Sequence, residues 1–286
     1  MAAATGRYPV LDTALADATL AHLGVGRAAP DVVLLDALVA AFKARVPWES
    51  ATRIVKRAAT ADTAACPRWP EEFWADVIER GGGGTCYESN YAFFALLRAL
   101  GYDGYLTLNN MRDVARPGCH AAIVLSLGGE PWLADVGLSR PLALLSLRAR
   151  EPRTWPAPLH RCTVHPTGPD TYEIGLEPGT SADPTRAAHA YTLLDRPVDD
   201  AAYRAAVTAD YGPDGLFLDQ LIVSRVIDGV LWRFTTNRRP PALVSFDGTE
   251  WAERSVTTDV AETVADRFGV DAATLQAALG AVGAPD

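Results

Sequence analysis

The chain has 286 residues, of which 49% are hydrophobic and 21% charged, and its formal net charge is −9 at pH 7. A chain of this length is expected to form two or three domains, and its composition is that of a globular protein. The acidic balance argues against a nucleic-acid partner, which would select a basic face. No run of eighteen apolar residues is present, so no membrane span is predicted.

The cysteines also limit the class of protein. Cys66, Cys86, Cys119 and Cys162 include no pair at metal-ligand spacing, and a secreted disulfide framework is not expected in a chain this large. The N-terminus lacks the basic start and apolar core of a secretion signal. We therefore predict a cytoplasmic protein with free thiols and no metal site.

The first 80 residues have a helical pattern. Residues 31–45 carry apolar side chains at close to the 3.6-residue period of an amphipathic helix. Pro70, followed by two acidic residues, is typical of a second helix start. Helical character continues over residues 91–100, and Gly101 is a natural C-terminal stop.

The pattern then changes to short apolar segments bounded by Gly and Pro, which predict strands. These strands are expected at residues 104–111, 120–127, 132–136, 159–164 and 171–176. Loops are predicted at four prolines: Pro152, Pro156, Pro158 and Pro166.

From about Val198 the pattern is mixed. It predicts a short helix at 199–208, strands at 221–227, 230–236 and 242–246, and a closing helix near 271–279. An order of helices, then strands, then a mixture favours an α+β protein over a doubly wound sheet.

The most informative stretch is GGGGTCYESN, residues 81–90. The glycines permit a sharp turn or a close backbone approach, and Thr85 with Glu88 matches a capping box. Thr85 is then the N-cap, and Cys86 is the first helical residue, where the helix dipole favours a thiolate by about 0.3–1 kcal/mol. This is too little for a strong nucleophile at neutral pH, so a partner base is required.

Histidine is the expected base, and His120, which opens an apolar strand, is the best placed. Gly128-Gly129 after that strand indicates a two-residue hairpin. If Leu127 pairs with Glu130, Asp135 lies on the same sheet face as His120 and within its reach. Cys86, His120 and Asp135 would then be nucleophile, base and orienting carboxylate. A three-residue turn would place Asp135 on the opposite face. The other histidines are His22, His160, His165 and His189.

Each feature also has an ordinary structural explanation. A Gly-rich turn with a capping box is most often a helix start, and free cysteines are commonly buried and inert. Cys119 is a weaker nucleophile candidate, because it and His120 would point to opposite faces of one strand. The glycine run lacks the ending of a phosphate-binding loop. The occurrence of Cys, His and Asp in this order favours catalysis.

These residues resemble the arylamine N-acetyltransferase family, and the likeness extends over nearly the whole chain. Residues 83–90 match its Gly-Gly-x-Cys-x-Glu-x-Asn nucleophile motif, while His120 and Asp135-Val136-Gly137 match its other two catalytic positions. Pro47-Trp48-Glu49 resembles its Pro-aromatic-Glu turn. The resemblance implies an N-terminal helical bundle, a central β-barrel and a C-terminal α/β lid, which we place at residues 1–101, 102–197 and 198–286.

The resemblance also implies a reaction. An acyl group, by default acetyl from acetyl-CoA, would pass through a thioester on Cys86 to a small-molecule amine, with no permanently bound cofactor. Donors other than acyl-CoA, such as an acyl carrier protein, stay open. The candidate substrate-binding residues are Trp48, Thr85, Leu138 and Phe217.

Three departures from the family pattern bear on specificity. Gly82 stands where the family has Arg, Ser50-Ala51 replaces Asn-Leu, and Leu138-Ser139 replaces Phe-Gly. The last loop lines the acceptor side of the family's site, so we expect weak activity on simple arylamines. The alternatives are a natural-product amide synthase, a transglutaminase-like cysteine hydrolase and a non-enzymatic binding domain.

Overall fold

A computed structural model describes residues 8–148, 150–157, 159–178 and 191–284. The helices within these residues are α1 (Thr13–Leu23), α2 (Val32–Arg45), α3 (Ala51–Ala59), α4 (Pro70–Arg80), α5 (Cys86–Ala99), α6 (Asp200–Ala209), α7 (Val260–Phe268) and α8 (Ala272–Ala281). The strands are β1 (Trp48–Glu49), β2 (Asp103–Met111), β3 (His120–Leu127), β4 (Glu130–Ala134), β5 (Leu145–Ser146), β6 (Arg153–Pro156), β7 (His160–Gly168), β8 (Thr171–Pro178), β9 (Tyr191–Leu194), β10 (Ile222–Ile227), β11 (Val230–Thr235), β12 (Ala242–Phe246) and β13 (Trp251–Ser255). No helix among the described residues is long and apolar enough to cross a membrane.

The N-terminal helices surround α5. Asp12 and Asp31 begin α1 and α2 by accepting hydrogen bonds from the backbone amides of Leu15 and Leu34. Every residue of α5 from Cys86 to Leu97 is buried, which is typical of a helix enclosed on all sides. It packs against α1, α4 and β3. The nucleophile candidate therefore begins the central helix of this part of the fold.

Eight antiparallel strands form a nearly closed, barrel-like sheet in the order β5-β4-β3-β2-β9-β8-β7-β6. Leu127 lies opposite Glu130 in the β3–β4 hairpin, so the predicted two-residue turn is confirmed. Gly128 and Gly129 have positive φ angles of 60° and 78°, which a type I′ turn requires and glycine adopts easily. This register carries the chain after β4 back beside the start of β3.

A second sheet has the order β1-β10-β11-β12-β13. Its edge strand β1 comes from the N-terminal part of the chain, and Trp48 lies opposite Ser224. Ala51 and Ile54 of α3 belong to the same hydrophobic cluster as Phe234 and the buried faces of α7 and α8. The segment after β1 thus takes part in the core of the C-terminal sheet.

The predicted α+β class, with a helical part, a barrel-like sheet and an α/β part, is confirmed. The three domain boundaries stay a prediction. The prediction of loops at the prolines is wrong at Pro156 and Pro166. Pro156 ends the edge strand β6, and Pro166 lies in β7 at a register shift. Edges and bulges are the places in a sheet where the missing amide of proline is tolerated. Pro158 lies outside the described residues.

Candidate active site

The glycine run brings the start of α5 against the segment that precedes α3. A Cβ atom on Gly83 would lie 1.8 Å from the carbonyl oxygen of Pro47, so only glycine fits this position. Gly84 forms a parallel bridge with Trp48. Cys86 follows as the first residue of α5, and it is 7% exposed. The glycines therefore allow a close backbone approach next to Cys86.

The predicted capping box is not formed, although Thr85 is the N-cap residue. The Thr85 side chain makes no capping bond, and its hydroxyl oxygen accepts a hydrogen bond from Arg53 Nη1 at 2.9 Å. The Glu88 carboxylate accepts from Arg68 Nη2 at 2.6 Å and from the Arg68 backbone amide at 3.1 Å. Charge-assisted bonds of this kind are stronger than neutral ones, so both side chains bind arginines instead.

Arg68 is fully buried beside the glycine run of residues 81–84, and three carboxylates surround its guanidinium group. Besides Glu88, its guanidinium binds Asp76 at 3.0 Å and lies 3.8 Å from Glu49. Nη2 also donates to the carbonyl oxygen of Gly83 at 2.5 Å. Arg68 therefore ties the glycine run to α4, α5 and β1, a role that no sequence pattern indicates.

His120 and Asp135 form the expected buried pair. His120 Nε2 lies 2.8 Å from Asp135 Oδ2. Asp135 Oδ1 accepts from the Gly137 amide at 2.8 Å and from Asn90 Nδ2 at 3.1 Å, and Asn90 Oδ1 accepts from the Val136 amide at 3.1 Å. Both oxygens of the carboxylate are thus fixed. Asn90 is a functional candidate that the sequence reasoning named only as part of a motif.

The electrostatics of this pair favour an imidazolium beside the thiol. Burial opposes the charged imidazole, but the Asp135 carboxylate and hydrogen bonds to Asp135 and Cys86 raise the pKa of His120 well above its usual value. Burial likewise opposes the charged carboxylate, but His120, followed by Lys43 and Asn90, lowers the pKa of Asp135. His120 is thus hydrogen-bonded both to Asp135 and to Cys86, which is the arrangement of a base between a carboxylate and a thiol.

Gly137 allows the segment that follows Asp135 to lie directly against Cys86. A Cβ atom on Gly137 would lie 2.4 Å from Asn90 Nδ2 and 2.6 Å from Cys86 Cα. The Gly137 carbonyl oxygen accepts from Trp48 Nε1 at 2.8 Å. No side chain larger than hydrogen fits here without moving Cys86 or Asn90.

Lys43 also binds the segment around Gly137. Its ammonium group donates to the carbonyl oxygens of Val136 at 2.9 Å and Leu138 at 2.6 Å. Burial lowers the pKa of Lys43 to about 8, although the nearby Asp135 carboxylate acts against this shift. Lys43 therefore holds the backbone on both sides of Gly137.

We expect Gly137→Ala to slow acylation of Cys86 by about 100-fold or more, because a displacement of about 1 Å is enough for such a loss. Intact mass after exposure to acetyl-CoA gives the rate. Gly280→Ala is the matched control: a Cβ atom there meets nothing within 4 Å, so this variant should acylate at the wild-type rate. A folded Gly137→Ala protein with the wild-type rate would show that the close approach is unimportant.

A cleft of about 230 Å³ opens on Cys86 and His120. Three predicted substrate-binding residues, Trp48, Leu138 and Phe217, line this cleft, whereas Thr85 is buried and is not among the lining residues. The lining residues that the sequence did not single out are Met111, Asp113, Val114, Arg140, Leu216 and Arg233.

Phe217, which lines the cleft, has an unusual backbone conformation. Its φ of 59° lies in the left-handed region, which non-glycine residues seldom adopt. The ring packs edge-on against Trp48, with ring centroids 4.9 Å apart. Strained backbone of this kind often occurs where a side chain must face a ligand.

The other histidines are placed elsewhere. His22 is in α1, and His160 and His165 are in β7, where none of them lines the cleft. His189 lies outside the described residues. The structure thus brings Cys86, His120 and Asp135 together and leaves the remaining described histidines apart.

The sequence profile of the N-acetyltransferase family matches residues 31–275. The arylamine N-acetyltransferase of Mycolicibacterium smegmatis is 25% identical over 266 residues, which cover 88% of this chain and 90% of the relative. The chain belongs to the arylamine N-acetyltransferase family. The predicted enzyme class, an acyltransferase, is therefore confirmed at the level of the family.

Solved structures of arylamine N-acetyltransferases share the fold. The Mycobacterium abscessus enzyme superposes with a TM-score of 0.77 at 22% identity, over 93% of this chain and 94% of that one. The Mycobacterium marinum enzyme in complex with CoA has a TM-score of 0.75 at 19% identity, over 93% and 97% of the two chains. The arrangement of helices and sheets in this chain is therefore that of the family.

Proposed function

We propose that the protein transfers an acyl group from acetyl-CoA to an amine in a two-step, ping-pong reaction through a thioester on Cys86. The observation that carries the proposal is the contact between Cys86, at the start of a buried helix, and the His120–Asp135 pair, with a cleft opening on all of them. Family membership supports the reaction class, and the CoA complex of the Mycobacterium marinum relative supports the donor.

In the first step the Cys86 thiolate attacks the thioester carbonyl carbon. The carbon–sulfur bond of the donor breaks, and CoA leaves as a thiol after taking a proton from the His120 imidazolium. In the second step His120 accepts a proton from the attacking amine. The amide leaves, and the Cys86 thiolate is restored. Asp135 keeps the imidazole oriented and stabilises its charge.

The substrates would meet in the cleft between the barrel and the C-terminal sheet. Trp48, Leu138 and Phe217 offer it an apolar wall, which suits an acyl chain or an aromatic amine. Thr85 would act indirectly, through its bond with Arg53. A thioester survives only if water is excluded until the acceptor binds. We propose that the C-terminal part, residues 198–286, covers the site in this way.

Release of CoA thiol over time tests the proposal. Acetyl-CoA alone should give a burst of one thiol per protein and then stall, and an aromatic amine or hydrazine should restore turnover. Cys86→Ala should give no burst. Cys66→Ala, which removes a buried thiol outside the cleft, should keep it.

The alternatives predict other outcomes. Rapid steady release without an amine would identify a hydrolase. A burst with a carrier-bound acyl chain, but with no small donor, would identify an amide synthase. If brief, limiting iodoacetamide labels another cysteine before Cys86, the nucleophile has been assigned wrongly.

A further inference from the structure

Arg233 points toward the cleft that Cys86 lines. It lies in β11 opposite Ser224 of β10, and residues opposite each other in a sheet share a face. The Ser224 hydroxyl donates to the carbonyl oxygen of Ser139 at 3.0 Å, so this face looks toward the segment that follows Gly137. Arg233 and Cys86 both line the cleft.

The positive charge of Arg233 is not neutralised by the described part of the chain. Its Nε atom is buried and has no hydrogen-bond partner there, and no described carboxylate forms an ion pair with it. Burial, then Arg140 and Arg238, lower the pKa of Arg233. Asp113 also lines the cleft, but its carboxylate forms no ion pair with Arg233. The neighbouring Arg238 is already paired with Glu253 at 3.7 Å. A partly buried guanidinium that no described carboxylate neutralises is unfavourable, so an anionic ligand would gain by supplying the opposite charge.

The size of the cleft limits what this anion is. A volume of about 230 Å³ accommodates an aromatic ring or a short chain, so a group held by Arg233 belongs to the part of a substrate that reacts at Cys86. The phosphates of CoA are a full pantetheine arm away from its sulfur, which is too far for both ends to share this space. Guanidinium groups bind carboxylates through paired hydrogen bonds.

We propose that Arg233 forms a carboxylate-binding subsite that selects an acidic substrate. The carboxylate would belong either to the acceptor amine or to the far end of the acyl group. This inference rests on the proposed function, because it takes the Cys86 cleft as the place of acyl transfer.

Matched substrate pairs test the subsite and identify the source of the carboxylate. The acceptor pair is 4-aminobenzoate against 4-aminobenzamide, and the donor pair is succinyl-CoA against butyryl-CoA. In one pair the wild type should favour the acid in kcat/KM by about tenfold or more. Arg233→Met should bring that ratio close to one. Arg254→Met removes an exposed charge from β13 of the same sheet and should keep the wild-type ratio.

A second measurement does not depend on turnover. Benzoate should raise the thermal midpoint of the wild type progressively as its concentration exceeds the dissociation constant and should leave that of Arg233→Met unchanged. Without benzoate, Arg233→Met should unfold at the same or a higher temperature, whereas loss of an arginine with a structural role would lower it.

The outcomes separate this inference from the proposed function. A normal burst, combined with no preference in either pair and no benzoate shift, would overturn the subsite alone. Retention of the preference by Arg233→Met would also overturn it. If no donor gives a burst, the proposed function fails, and the benzoate shift still decides whether the anion site exists.

Discussion

Asp135→Asn is expected to reduce acylation of Cys86 by about 10⁴-fold with the fold intact. Asp135 Oδ1 accepts hydrogen bonds from the amide of Gly137 and from Asn90, so the oxygen of an asparagine would occupy this position. Its NH₂ group would then face His120 Nε2, which would have to accept a hydrogen bond. The imidazole would carry its proton on the nitrogen toward Cys86 and could no longer accept one there.

Single-turnover acylation with acetyl-CoA, followed by intact mass, measures this loss. Asp103→Asn is the control, since Asp103 is exposed at the start of β2 and its charge is far along the strand from the site. A folded Asp135→Asn protein that acylates within tenfold of wild type would mean that another carboxylate orients the base, or that none is needed.

Arg68→Met is expected to lower the free energy of unfolding by about 3–5 kcal/mol, the usual effect of removing one partner from a buried ion pair. The substitution leaves the Glu49 and Glu88 carboxylates buried without their cation. It also removes the bond that holds the carbonyl of Gly83. Denaturant unfolding at neutral pH gives the value.

The loss should depend on pH in a definite direction. Burial raises the pKa of Glu88, but Arg68 and the Tyr211 hydroxyl lower it by more, so that the net shift is downward. In the wild type Glu88 therefore contributes stability above the pKa of an unfolded glutamate and loses it as the pH falls. Without Arg68 the buried Glu88 carboxylate gains from protonation, and the deficit should shrink between about pH 7 and pH 5.

Arg27→Met provides the control for Arg68→Met. Arg27 pairs with Asp17 at 2.8 Å, but the two side chains are 42% and 57% exposed, so its loss should be within about 1 kcal/mol at either pH. Equal effects of the two substitutions would show that the buried cluster is not a special source of stability.

The placement of His120 near Asp135 was predictable because it depends on local sequence. A two-residue turn at Gly128-Gly129 fixes the register of β3 against β4, and side chains alternate with a period of two. The relation between His120 and Asp135 followed from that turn alone. The N-cap at Thr85 and the start of α5 at Cys86 were predictable for the same reason, because both depend on neighbouring residues in the sequence.

The predictions from sequence that are wrong or incomplete involve partners that are distant along the chain. Thr85 and Glu88 have the residue types of a capping box, but Arg53 and Arg68 bind them in the folded chain. Arg233 and Cys86 line one cleft because of how the second sheet meets the barrel, which no local pattern encodes. The two-residue strand β1 was missed because it is a strand only through its pairing with β10.

The pairing of β1 with β10 has a consequence for the order in which a newly made chain matures. Trp48 donates a hydrogen bond to the carbonyl oxygen of Gly137, yet its strand partner is Ser224, which leaves the ribosome much later. Such a long-range closure carries a large entropic penalty and tends to form late in folding. Helix α5, which begins at Cys86, can form early. The cleft around the Cys86 thiol is complete only after the five-stranded sheet has joined the rest of the fold.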